Sequence, residues 1–167
     1  MHAIPPMCLD SQKGLGMDYE SVLIYWINLV SFQSRRELSR RFAEAGEQIA
    51  AEEWACLLTL WRNGPLSPSK IAEGTVRDRT TSTRLIDRLE RKGIVRRVSD
   101  NSDGRRVIVE LTERGESLRE ILVPIAKKYI GEATGDIDPE HLRISLETAK
   151  KISRRLDMLA KKTRSSA

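Results

Sequence analysis

Histidine and cysteine are nearly absent: the 167-residue chain has two of each, His2 and His141, Cys8 and Cys56. Two thiols are too few for a disulfide scaffold. The histidines lie far apart in the chain, and no Cys–His cluster has the spacing of metal ligands, so no metal and no cofactor are expected. Without a usable histidine or a glycine-rich phosphate loop, no convergent nucleophile, base and acid can be assigned. The chain is therefore not read as an enzyme, and no residue is read as catalytic. Aromatic residues make up only 5% of the sequence. No apolar run approaches the roughly 18 residues that span a bilayer. The N-terminus, MHAIPPMCLDSQKGLG, lacks the basic start and apolar stretch of a secretory signal. A cytoplasmic protein with no membrane partner is the expectation.

What the chain does have is charge, 32% of its residues, with a net +5 and an unequal distribution. Residues 1–66 hold 6 basic and 8 acidic side chains, residues 67–109 hold 11 and 6, and residues 110–167 hold 12 and 10. The middle stretch thus carries the whole excess. A basic block inside a folded region is the footprint of a phosphate-binding surface, although a solvated helix face has the same composition.

Periodicity divides the chain into elements. Residues 1–16, with Pro5, Pro6, Gly14 and Gly16, read as a loose tail. From about Met17 to Ala45 a helix is predicted, with Val22, Trp26, Leu29 and Val30 at helical spacing and Gly46 as its stop. A second helix fits Ala51–Arg62 and ends at Asn63-Gly64-Pro65. Ser67 and Pro68 open a short helix. Arg77-Asp78-Arg79 is a turn, and Asp78 or Thr80 caps a helix from about Thr80 to Lys92. That helix buries Leu85, Ile86 and Leu89, with Ser82 on the same face, and exposes Thr80, Thr81, Thr83, Arg84, Asp87, Arg88 and Arg91. Then the period drops to two. GIVRRV and RVIVELT flank a turn containing Asp103-Gly104, which predicts a hairpin with a basic tip. Thr112 caps a further helix running to about Ala133. Asp138 and Pro139 open a last one carrying Leu142, Leu146, Ala149, Ile152, Leu156 and Leu159. The fold class expected is mainly α with a small β-hairpin wing. Residues 17–50 form an N-terminal helix, 51–115 a winged helix-turn-helix, and 116–167 the C-terminal helices.

A short helix, a turn, a basic polar-faced helix and a hairpin make up a winged helix-turn-helix. The major groove of DNA admits one helix, whose outward face reads base edges. Short hydroxyl residues at Thr80, Thr81 and Thr83 let such a helix sit deep, while Arg84 and Arg88 reach bases or phosphates. Arg79, in the turn before that helix, joins this set. Arg105 and Arg106 at the hairpin tip are placed to meet the neighbouring minor groove, whose narrow stretches attract arginine. Arg96 and Arg97 contribute general electrostatics.

The stretch LSPSKIAEGTVRDRTTSTRLIDRLERKGIVRRVSDNSDGRRVIVELTERG, Leu66–Gly115, resembles the multiple-antibiotic-resistance regulator (MarR) family of transcription factors. Its most specific pieces are TRLIDRLERKGIV and DNSDGRRVIVELTERG, and the flanking helices match the family plan in order and length. The resemblance implies a homodimer made by the first and last two helices. It also implies double-stranded DNA with a palindromic operator as partner, and release by a small phenolic or aromatic ligand. It matches Thr80, Thr81 and Arg84 to groove-facing positions. Asp103 and Arg105 match the wing's acidic-x-Arg pattern, in which the acid braces the arginine. The chain departs from the family at Val76 and Arg77, where many relatives have a glycine and an apolar residue.

Tyr25, Trp26, Trp54 and Trp61 are the candidate lining of an aromatic ligand pocket between the first, second and fifth helices; core or dimer interface is the competing reading. Two other functions stand beside the main one. One is a winged helix used only for protein–protein contact; the other is a regulator that senses oxidation through Cys8 or Cys56.

Overall fold

The computed structural model describes residues 18–75, 78–99 and 106–165. The N-terminal tail with Cys8, the turn residues Val76 and Arg77, and the wing tip with Asp103 and Arg105 lie outside the described residues. Among the described residues, six α-helices and two strands follow in order: α1 (Leu23–Glu44), α2 (Ala51–Asn63), α3 (Pro68–Gly74), α4 (Arg79–Arg91), β1 (Val95–Ser99), β2 (Val107–Leu111), α5 (Glu113–Thr134) and α6 (Pro139–Ser165). This is the expected class, helical with one antiparallel hairpin.

Local chemistry sets most boundaries. Ser67 Oγ accepts the Lys70 N–H at the start of α3, and Pro68 occupies the first helical position, where no donor is missed. The Thr112 hydroxyl accepts the Gly115 N–H at 3.1 Å ahead of α5. Asp138 Oδ1 accepts the N–H groups of Glu140 and His141 ahead of α6. Gly46, Gly64 and Gly93 follow α1, α2 and α4 with φ of 86°, 73° and 67°, a left-handed turn that side chains with a Cβ resist.

The first helix starts later than expected. Asp18 captures the Glu20 N–H and starts a separate 3-10 turn, Tyr19–Ser21, so α1 begins only at Leu23. Its buried residues are Leu38 and Phe42, in the charged half, whereas Trp26 and Val30 of the apolar half are exposed.

The structure divides into two compact units, residues 1–125 and 126–167. In the first, Leu57 and Leu60 of α2, Ile71 of α3, and Leu85, Ile86 and Leu89 of α4 are fully buried, together with Leu118 and Leu122 of α5. Val95 and Val109 add the inner face of the hairpin. The strands pair in register from Val95↔Leu111 to Ser99↔Val107. Leu66, in the loop before α3, adds a third edge by exchanging both backbone hydrogen bonds with Val109, at 3.0 and 2.8 Å. The hairpin root is thus held on both sides. In the second unit α6 leaves Ile144, Leu146, Leu156, Met158 and Leu159 exposed. No described helix is long and apolar enough to cross a membrane.

Candidate nucleic-acid interface

Helix α4 is amphipathic in the strict sense. Ser82, Leu85, Ile86 and Leu89 recur at spacings of three and four and are all buried, so the remaining positions point outward. Asp78, not Thr80, is the cap, and Arg79 belongs to the first turn of α4 rather than to the turn before it. Asp78 accepts the Thr81 N–H at 2.8 Å and the Thr81 hydroxyl at 2.6 Å. The Thr81 hydroxyl, followed by its N–H, holds the Asp78 carboxyl below the usual carboxylate range. Thr81 is therefore first a capping residue, half-buried and with its hydroxyl proton already committed. The Thr83 hydroxyl is likewise turned back, donating to the Arg79 carbonyl at 2.9 Å. Thr80 and Arg79 are exposed at the same end.

One shallow open groove on this surface is lined by Thr81, Arg84, Asp87, Arg88 and Arg91. Three of the five are arginines, and all three are exposed. Arg84 and Arg88 have no ion-pair partner among the described residues. The structure thus brings Thr81, Arg84 and Arg88 together and adds Arg91, which the sequence places on the outward face but which was not among the expected contacts. Arg106 is exposed just before β2.

Three polar braces hold this helix, and sequence reasoning did not find them. The first ties its C-terminal end to α2. Glu53 is 2% exposed, and its carboxylate accepts from Lys92 Nζ at 2.8 and 2.7 Å and from the Ala50 N–H at 2.8 Å. Lys92 Nζ also donates to the Gln48 carbonyl at 2.6 Å. The second brace comes from α5, where Arg114 Nη1 donates to the Lys92 carbonyl at 3.0 Å. The third runs from the hairpin, where Arg97 meets Asp87 and Glu90. An acid in the third position of α2 was a capping signal for Glu53, but nothing in the sequence paired it with Lys92.

The aromatic residues separate into two groups. Trp54 lies edge-on to Trp61, with ring centres 5.6 Å apart, and Phe42 joins Trp54 at 5.2 Å. Trp61 Nε1 donates to the Gly115 carbonyl at 3.1 Å. Tyr25 and Trp26 pair with each other at 5.5 Å near the start of α1, and Trp26 Nε1 donates to the Glu20 carbonyl. Trp26 thus has no ring contact with Trp54 or Trp61, and Phe42 takes that place.

Cys56 is completely buried in α2, and burial together with the nearby Glu53 charge pushes its thiol up to about 12. A thiol that stays protonated and covered is a poor nucleophile. Iodoacetamide at mildly alkaline pH is expected to leave Cys56 unmodified in the native protein and to alkylate it in urea, as read by peptide mass spectrometry. Native modification at the denatured rate would contradict this.

Residues 49–107 match the family model described as the MarR family. The chain is 38% identical over 109 residues to the transcriptional repressor MprA of Escherichia coli, covering 64% of this chain and 61% of that protein. It is 30% identical over 91 residues to the HTH-type transcriptional repressor NicR of Pseudomonas putida, covering 54% and 58%. The chain thus spans about three fifths of the length of these curated relatives. The solved structure of Bordetella bronchiseptica BpsR, described with regulation of its DNA binding by 6-hydroxynicotinic acid, superposes with a TM-score of 0.73. That superposition covers 82% of this chain and 96% of that one at 20% identity, a likeness of fold. The match to the MarR family thus spans residues 49–107, the helix-turn-helix and most of its wing.

Proposed function

We propose that this protein is a transcriptional regulator, in the first instance a repressor, that binds double-stranded DNA through the outward face of α4. The observation that carries the reading is the groove in which Arg84, Arg88 and Arg91 stand together on a capped, braced helix. Arginines of this kind serve base edges in the major groove, with the wing reaching the flanking minor groove. Asp103, Arg105 and Arg106 belong to that second contact in this reading. The similarity to MprA and NicR, both repressors by name, supports it.

The protein acts as a homodimer on a palindromic operator. The support is the apolar surface left on α1, with Leu23, Ile24, Trp26, Ile27, Val30 and Phe32 exposed, and the exposed leucines of α6. Patches of that extent call for a partner, and a two-fold pair is the commonest solution. A small aromatic effector is proposed by analogy with BpsR. The contact-only reading of the winged helix is disfavoured by the arginines of the α4 face, and thiol sensing by Cys56 by its burial.

Selection of bound genomic fragments by the purified protein is expected to return inverted repeats whose halves lie about one helical turn apart. On such a site Arg84→Ala should cost about 1–3 kcal/mol, and much less on random DNA. Equal losses on both would make Arg84 a phosphate contact only. Failure to enrich any repeat would sink the regulator reading.

A further inference from the structure

Asp87 is out of place in a groove otherwise built for an anion. It shares the lining with Arg84, Arg88 and Arg91, where a bare carboxylate would repel phosphates. The structure gives it a partner from behind. Asp87 and Glu90 stand one turn apart on α4, so both face the same neighbour. That neighbour is Arg97, in the middle of β1. Its Nη2 donates to Asp87 Oδ1 at 2.5 Å, and its Nη1 donates to Glu90 Oε2. Its own backbone N–H donates to Glu90 Oε1 at 3.2 Å. The Arg97 side chain is 29% exposed, less than either carboxylate, so the fork lies beneath the surface that the groove presents. Arg96, its neighbour, instead pairs across the hairpin with Glu110.

We propose that Arg97 is a positioning residue with two tasks: it fastens the wing strand β1 to the recognition helix, and it masks the Asp87 charge at the DNA face. The wing and α4 then meet DNA as one body. A guanidinium suits the work because its rigid planar fork presents separate N–H groups in fixed directions, one to each carboxylate. The inference deepens the DNA-binding reading of α4 and rests on it for its second task; the first stands without DNA.

The test compares the parent, Arg97→Met, Asp87→Asn and the double variant on a labelled mixed-sequence duplex at low salt, with amide exchange of β1 followed in the absence of DNA. Arg97→Met is expected to weaken binding about tenfold, because an unmasked carboxylate enters a contact governed by phosphate charge. In the Asp87→Asn background the same change should weaken it less than about twofold, since the groove lining then holds no carboxylate to mask. Amides of β1 should exchange faster in Arg97→Met, and also in Arg97→Lys, which carries the comparison if the methionine variant does not fold. An equal loss in both backgrounds overturns the masking, because the loss would then come from the loosened wing or from Arg97 itself rather than from the Asp87 charge. Unchanged exchange overturns the fastening. A parent that binds no duplex defeats the reading of the α4 face, and the exchange result then decides the fastening alone.

Discussion

Lys92→Met is expected to lower the free energy of unfolding by about 2–3 kcal/mol, although it removes a side chain at the end of a surface helix. The reason lies with its partner. The Glu53 side chain is 2% exposed, and its carboxylate sits among the Lys92 ammonium, the Ala50 N–H and the apolar core around it. Removing one member of a fully buried pair costs about 3–5 kcal/mol, most of it from the charge left behind. Here Lys92 is 35% exposed, so water reaches part of the gap and the lower figure applies. Adding Glu53→Gln should return about half of the loss, because the neutral amide still accepts the Ala50 hydrogen bond. Urea unfolding of the parent, both single variants and the double variant measures this. A Lys92→Met protein as stable as its parent would mean that water alone satisfies Glu53.

The second large effect has a sign that helix propensity alone gets wrong. Gly115 lies in the first turn of α5, where alanine ordinarily stabilises by about 1 kcal/mol. Gly115→Ala is instead expected to destabilise by about 2–3 kcal/mol. A Cβ at this position would stand 2.2 Å from the Ile94 carbonyl oxygen and 3.0 Å from Leu111 Cδ2. The first is backbone, at the root of the wing, and cannot step aside as a flexible side chain would. The Trp61 indole holds the Gly115 carbonyl from the other side, so α5 cannot retreat without losing that bond as well. A thermal melt decides it: a midpoint equal to or above the parent's would show that the helix slides freely.

Most element boundaries were legible because they rest on local chemistry. Ser67, Asp78, Thr112 and Asp138 each cap a helix within three residues of themselves, and Gly46, Gly64 and Gly93 turn the chain where their sequence places them. The buried stripe of α4 was legible for the same reason, since a period of 3.6 is written in consecutive residues. The braces were not. Lys92 finds Glu53 at a separation of 39 residues, and Trp61 finds Gly115 at 54. Such pairs are set by how α2, α4 and α5 meet, which no local pattern encodes. Arg97 had the right residue type for a general electrostatic role, but only the hairpin's placement beside α4 gives it two carboxylates. Which aromatic rings meet within the chain was not legible for a related reason. Trp26 and Trp54 share a residue type and a spacing style, yet α1 is long enough to carry Trp26 to a different neighbourhood, while Phe42 from its far end meets Trp54.

The division of labour along α4 also bears on how such a protein can diverge. Its stability is vested in Ser82, Leu85, Ile86 and Leu89, all buried, while the side chains of Thr80, Arg84 and Arg88 are exposed and hold no other side chain among the described residues. Substitutions at the outward positions cost little folding free energy, because surface changes away from caps and braces are usually small. A gene duplicate could therefore sample new preferences at those three sites without first acquiring a stabilising background. The outward residues with structural duties, Thr81 at the cap and Asp87 paired to Arg97, are exceptions. Drift in what the face recognises would be channelled around them, through a small alphabet of positions that the scaffold leaves free to vary.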